Sequence, residues 1–151
     1  MIRELLKGLS GNASNRQSEI DAQVDNGLAA AVLLIEVMLA DGHADDSEQE
    51  QLHKAVMTVA KTDSAKANLL IEEAKVLQKE ATDFFRYTNS LHQSLTPQAK
   101  IDLLVQLWTL AFANDEIDRY EEHVIRRIAD LLYVPHNDFI RSKIIARDGH
   151  V

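Results

Sequence analysis

The chain has 151 residues, no cysteine and a formal net charge of −8, from 24 acidic against 16 basic residues. The missing cysteines exclude disulfides, thiolate metal centres and thiol redox chemistry. The acidic balance argues against nucleic acid, whose phosphates need clustered Lys and Arg. A chain of this length buries roughly 68–70% of its unfolded surface and can fold as one domain without a staple. Five glycines, two prolines and 5% aromatic residues favour helices over strands.

Taken in order, Ile2–Leu9 is a short amphipathic helix with no long apolar core, so it does not read as a secretory signal. Ser10–Ser18 is a polar linker. Residues 1–24 are thereby set apart from a domain expected over 25–147, with a tail at 148–151. Asp25–Ala40 is apolar nearly all round, which marks a central helix. Its apolar run is too short to span a bilayer and contains Glu36. A cytoplasmic protein, not a transmembrane one, is expected.

Asp46–Lys61 carries an apolar stripe at Leu52, Val56 and Val59, and Ser64–Glu80 one at Leu70, Ala74 and Leu77. Thr82–Ser94 is a further helix carrying Phe84, Phe85, Tyr87 and Leu91. Thr96-Pro97 opens the next helix with a capping hydroxyl and a proline at the first position, where no N–H is needed. That helix runs to about Asn114. Arg119–Leu132 follows, with Ile117, Tyr120, Val124, Ile128 and Leu131 predicted on one face. Pro135 breaks it, and Asp138–Arg147 closes the chain. No segment alternates as a strand should, so the predicted fold is all-α, with about seven helices.

The sequence also repeats at an offset of 73 residues. Leu28, Val32, Ile35 and Leu39 correspond to Ile101, Val105, Trp108 and Phe112. Beyond the intervening loop, Leu52 and Val56 correspond to Ile125 and Ala129. Within the loop, Ala40 matches Ala113, Asp45 matches Asp118 and Glu48 matches Glu121. The spacing predicts a duplicated helix–loop–helix unit packed about a pseudo-twofold axis.

Both loops are acidic, and two readings account for them. In the first, each loop ends one helix and starts the next. Gly42 takes the left-handed conformation that finishes a helix, and Asn114 or Asp115 tolerates it. Asp45 with Glu48, and Asp118 with Glu121, have capping-box spacing, with each Asp accepting from the N–H three residues on. The helix dipole favours the remaining first-turn acids. In the second reading the loops supply oxygen ligands to a hard cation such as calcium or magnesium. Asp41, Asp45 and Glu48 are the candidates in the first loop, Asn114, Asp118 and Glu121 in the second. The EF-hand pattern fails: counting from Asp41, the sixth position is Asp46 and the twelfth is Leu52.

Glu50 and His53 form one Glu-x-x-His at helical spacing. Di-iron bundles need a second copy and two more glutamates, and His123 has Tyr120 three residues before it. His43 lies beside the first loop; His92, His136 and His150 read as surface residues. No Gly-rich phosphate loop, nucleophile elbow or zinc helix is present. Arg126, Arg127, Arg141, Lys143 and Arg147 give the last third some positive charge, either a solvated face or one that steers a charged partner or an anionic membrane.

The stretches "LADGHADDSEQEQL" (39–52) and "AFANDEIDRYEEHVIRRIADLL" (111–132) resemble the TerB family, named for bacterial tellurite resistance. Its signature is a helix ending in Asp-Gly, a short loop and a Glu opening the next helix. Asp41, Gly42 and Glu48 match it. In the second copy Glu121 matches, while Asn114-Asp115 stands where Asp-Gly is expected. The resemblance spans roughly Asp25 to Arg147, and "MIRELLKGLSG" looks like the amphipathic start of stand-alone members. It implies an all-α, internally duplicated, cytoplasmic domain of bacterial stress-response systems that works alongside membrane partners, with acidic loops suspected as metal sites.

The expected function is a non-enzymatic binding module. Its six loop residues would hold a divalent cation (calcium, magnesium or manganese). The same surface would dock a protein partner, such as the cytoplasmic segment of a membrane protein. The alternatives are a metal-dependent enzyme built on Glu50 and His53, and a structural helical scaffold or homodimer.

Overall fold

The computed structural model describes residues 26–40, 45–114 and 117–149. Among these it has helices and no strand, as the composition predicts. Helix α1 covers residues 26–39, followed by α2 (Asp46–Ala60), α3 (Ser64–Glu80), α4 (Phe85–Ser94) and α5 (Pro97–Ala111). A 3₁₀ turn, Phe112–Asn114, extends α5; α6 (Arg119–Leu131) and α7 (His136–Asp148) complete the fold. The predicted helix at Ile2–Leu9 lies outside the described residues.

Local chemistry sets most of the boundaries. Asp63 caps α3 by accepting from the Lys66 N–H at 2.8 Å, and Thr96 caps α5 by accepting from the Ala99 N–H at 3.1 Å, with Pro97 behind it. Helix α2 stops at Ala60, one residue before its predicted end, because Lys61 turns left-handed at φ 52°. Helix α4 begins at Phe85 rather than Thr82. The Asp83 carboxylate accepts from the Phe85 N–H at 3.0 Å and holds the preceding residues in a turn. Helix α7 begins earlier than predicted, at His136, with the Pro135 carbonyl taking the Phe139 N–H at 3.0 Å.

The core is built around α1 and α5. Residues 29–35 of α1 are all buried, which is why its sequence shows no polar face. Helix α5 buries Leu103, Leu104, Leu107, Trp108, Leu110 and Ala111. Helix α7 packs along α5, and α2 packs between α3 and α5.

Burial repeats with the sequence. In α2 the buried residues are Glu48, Leu52, Ala55 and Val56; in α6 they are Glu121, Ile125, Ile128 and Ala129, each 73 further on. The third helices match as well, one residue out of step: Ala67, Leu70 and Ala74 of α3 correspond to Phe139, Ser142 and Ala146 of α7 at an offset of 72. The repeating unit is therefore three helices, α1–α3 and α5–α7, joined by α4.

Helix α6 corrects one prediction. Tyr120, placed on the core stripe from sequence, is 65% exposed. The core-facing series begins at Glu121 and runs through Ile125, Ile128, Ala129 and Leu132. A stripe drawn from apolar residues alone misses the carboxylate that opens it and is rotated toward Tyr120.

Candidate functional site

The predicted ligands fall into three groups. Asp41 lies outside the described residues, together with Gly42, His43 and Ala44, and so do Asp115 and Glu116. Asn114 ends the 3₁₀ turn. Asp45, Glu48, Asp118 and Glu121 sit at the starts of α2 and α6, where the structure gives each a distinct place.

Asp45 and Asp118 are the N-caps. The Asp45 Oδ1 accepts from the Glu48 N–H at 2.8 Å and from the Ser47 hydroxyl at 2.8 Å. These bonds, the backbone N–H first, hold the Asp45 carboxyl below its ordinary value by favouring the charged form. Asp118 accepts from the Tyr120 N–H at 2.7 Å, two residues on rather than the three that the capping-box spacing predicts. Both caps use Oδ1.

Glu48 and Glu121 are different in kind. Each is 1% exposed, and among the described residues they are the only buried charged ones. Each opens the core-facing series of its helix, four residues before Leu52 or Ile125, so its side chain enters the core where an aliphatic residue would otherwise pack. Burying an ionised carboxylate costs several kcal/mol in order of magnitude unless charge or hydrogen bonds compensate it. The sequence identified both residues but gave no sign of their depth. The signal was available: each Glu falls in register with the apolar i+4, i+7 and i+8 positions that follow it.

Among the described residues, no three His, Asp or Glu side chains converge on one cation position. Of the six predicted ligands, Asp41 alone lies outside the described residues.

The other motifs resolve into packing roles. Near the α2–α3 corner, His53 Nε2 lies 3.2 Å from the Ser64 carbonyl and 3.3 Å from its hydroxyl, while Glu50 is exposed. His92, expected at the surface, is half-buried. Its Nδ1 sits 2.6 Å from Lys100 Nζ, and its ring stacks on Tyr133 at 4.5 Å. Lys100 also donates to the Leu132 carbonyl at 2.9 Å, tying α4, α5 and the end of α6 together. Of the basic residues, Lys143 lies 5.0 Å over the Trp108 ring and Arg126 5.3 Å over that of Phe139. Among the described residues, no helix is long and apolar enough to cross a membrane.

An all-α domain of two three-helix repeats, each opening its second helix with a capping Asp and a buried Glu, defines the class of protein. A family model described as tellurite resistance protein TerB matches residues 27–144. The chain belongs to the TerB family. No curated protein and no solved structure matches it.

Proposed function

We propose that this domain is a non-enzymatic, cytoplasmic stress-response module whose two acidic loops share a divalent cation and present a docking surface to a protein partner. Asp41, Asp45 and Glu48 are the donors from the first loop, Asn114, Asp118 and Glu121 those from the second. Tellurite-resistance membership supports the setting.

The observation that carries the reading is internal to the chain. When residues 41–61 are laid over 114–134, the only identical pairs are Asp45 with Asp118 and Glu48 with Glu121. In α2 and α6 the buried apolar pairs have changed, Leu52 to Ile125, Ala55 to Ile128 and Val56 to Ala129, whereas α1 and α5 keep Val32 with Val105 and Leu34 with Leu107. Helix starts need a cap but do not need a buried glutamate, and the glutamate is what both copies keep. A hard cation between the loops would take oxygen donors from both glutamates and from the Oδ2 of each capping Asp. Calcium, magnesium and manganese suit this all-oxygen set. The bonding of His53 at the α2–α3 corner favours a packing role over a catalytic one.

The test is thermal unfolding of EDTA-stripped protein titrated with calcium, magnesium, manganese and zinc, followed by circular dichroism. Binding at one hundred times the dissociation constant adds about 2.7 kcal/mol, which raises Tm by roughly 5–11 °C at this chain length. The rise should vanish in Glu48→Gln with Glu121→Gln. No response to any ion in the wild-type protein refutes the cation reading.

A further inference from the structure

We propose that His92, Lys100 and Tyr133 form a pH-sensitive latch, which holds the joining helix α4 to the second repeat while His92 is neutral. The assignment is independent of the acidic loops. Three parts of the fold meet at one ammonium. Lys100 Nζ, on α5, lies 2.6 Å from Nδ1 of His92, near the end of α4, and donates at 2.9 Å to the carbonyl of Leu132, just past α6. The Tyr133 ring stacks on the imidazole at 4.5 Å, tilted by 40°. Tyr133 is left-handed, at φ 58°, and the Val134 N–H reaches back to the Ala129 carbonyl at 3.0 Å. A helix ending of this kind usually places glycine there. The contact with His92 is one that glycine could not make.

The hydrogen bonds fix the protonation state. An ammonium has donors and no acceptor, so His92 Nδ1 accepts and the ring carries its one proton on Nε2. A second proton, on Nδ1, would remove the acceptor and set an imidazolium against an ammonium. No carboxylate offsets that repulsion, because among the described residues neither Lys100 nor His92 makes an ion pair. Lys100 of α5 and Tyr133 beyond α6 are the titratable groups in contact with the ring. One turn back along α4, Thr88 and Asn89 are uncharged, as are Thr96, Pro97, Leu103 and Leu104 at helical spacing from Lys100. Asp130, whose carbonyl accepts from the Tyr133 N–H at 3.1 Å, is exposed and pairs with neither Lys100 nor His92. Histidine ordinarily changes charge between pH 5 and 8, a range in which lysine stays charged. The open latch thus binds one proton more than the closed one, and acid opens it. Thr88 and Leu91, both buried, keep α4 seated on the core. What acid loosens is the join between the repeats.

Two measurements on the full-length protein test this. Long-range ¹H–¹⁵N NMR of the imidazoles reads the tautomer: at about pH 8, His92 should be unprotonated at Nδ1. Hydrogen exchange of the Leu91 and Leu95 amides, corrected for the intrinsic rate, reads the latch. Between about pH 8 and 5.5 their protection should fall by up to about tenfold per pH unit, the limit for one proton, in excess of any change at Val32 and Leu33 of α1. His92→Asn, whose amide oxygen can still accept from Lys100, should remove that excess. Lys100→Met lacks the tie and should give low protection at both ends of the range. A proton on Nδ1 at the alkaline end overturns the proposal. So does a wild-type fall no steeper than that of His92→Asn, or an equally steep fall in Lys100→Met.

Discussion

Trp108 offers a sharp test of how the core is balanced. It is fully buried, with the Phe139 and Phe112 rings 5.5 and 6.3 Å away and the Lys143 ammonium 5.0 Å over its face. Its indole N–H has no hydrogen-bond partner among the described residues. Trp108→Phe removes three heavy atoms. Two are carbons, and at about 0.8 kcal/mol per buried CH₂ their loss costs about 1.6 kcal/mol. The third is the nitrogen, and relieving a buried, unpaired donor returns about 1–3 kcal/mol. The two effects nearly cancel, so the phenylalanine variant should stay within about 1.5 kcal/mol of wild type.

Trp108→Ala has no such compensation and should lose about 3–5 kcal/mol, or roughly 6–20 °C in Tm. Trp108 is the only tryptophan, so unfolding is followed by circular dichroism in urea and on heating rather than by fluorescence. A Trp108→Phe loss approaching that of the alanine variant would refute the reasoning. It would mean that the N–H is satisfied, or that the ring's fit against Phe139 and Lys143 outweighs the donor.

Further outcomes follow from the caps and the helix ties. Thr96→Ala should cost about 0.5–2 kcal/mol, typical for a lost hydroxyl cap, and Thr96→Ser should restore most of it in the same urea titration. Lys100→Met withdraws the charged donor from the Leu132 carbonyl and from His92 and should cost about 1–3 kcal/mol; an unchanged urea midpoint would dismiss that tie as incidental. The Asp45 carboxyl is held below its ordinary value in the folded state, so the unfolded chain takes up its proton first as the pH falls. Its contribution is therefore complete above the unfolded value and fades as the pH drops through the folded one. Asp45→Asn keeps a capping oxygen and removes the titration. Its Tm deficit relative to wild type should close as the pH falls through and below the ordinary carboxylate range, and a deficit that stays constant on acidification would contradict the assignment.

The fold was largely legible because its signals are local. Asp63, Thr96-Pro97 and Pro135 punctuate the chain with side-chain bonds or blocked N–H groups that act within three or four residues. The boundaries that shifted depended on weaker cues: Thr82 and Asp83 both offer a start, and the Asp83 bond to Phe85 decides between them. Tertiary facts were harder to read. Nothing local distinguishes His92 at the surface from His92 against Lys100 and Tyr133, because its partners come from two other parts of the chain. The third-helix repeat was hidden by its one-residue slip, which puts Ala67 opposite Phe139 only at an offset of 72. The candidate site was half legible. Its residues could be chosen from their spacing, but the difference between capping Asp and buried Glu appears only once α2 and α6 are packed.

That difference separates the two readings of the acidic loops. Were the loops only helix starts, an exposed Glu three residues after the cap would suffice, and the core-facing slot could hold a leucine. Replacing a buried ionised group by a well-packed aliphatic one is often neutral or stabilising, so a duplicated scaffold under selection for stability alone has an easy route away from Glu48 and Glu121. The core around them shows that substitution is tolerated: Val56 and Ala129 differ in size at equivalent positions, as do Ile35 and Trp108. On the proposed reading, the two glutamates that stay identical while the pairs around them in α2 and α6 change are kept for the shared cation. Glu48→Leu with Glu121→Leu puts this to the test. The double variant should hold or raise the Tm of the cation-free protein while abolishing any cation-dependent rise. A double variant that unfolds in the absence of any cation would make the two carboxylates part of the scaffold itself.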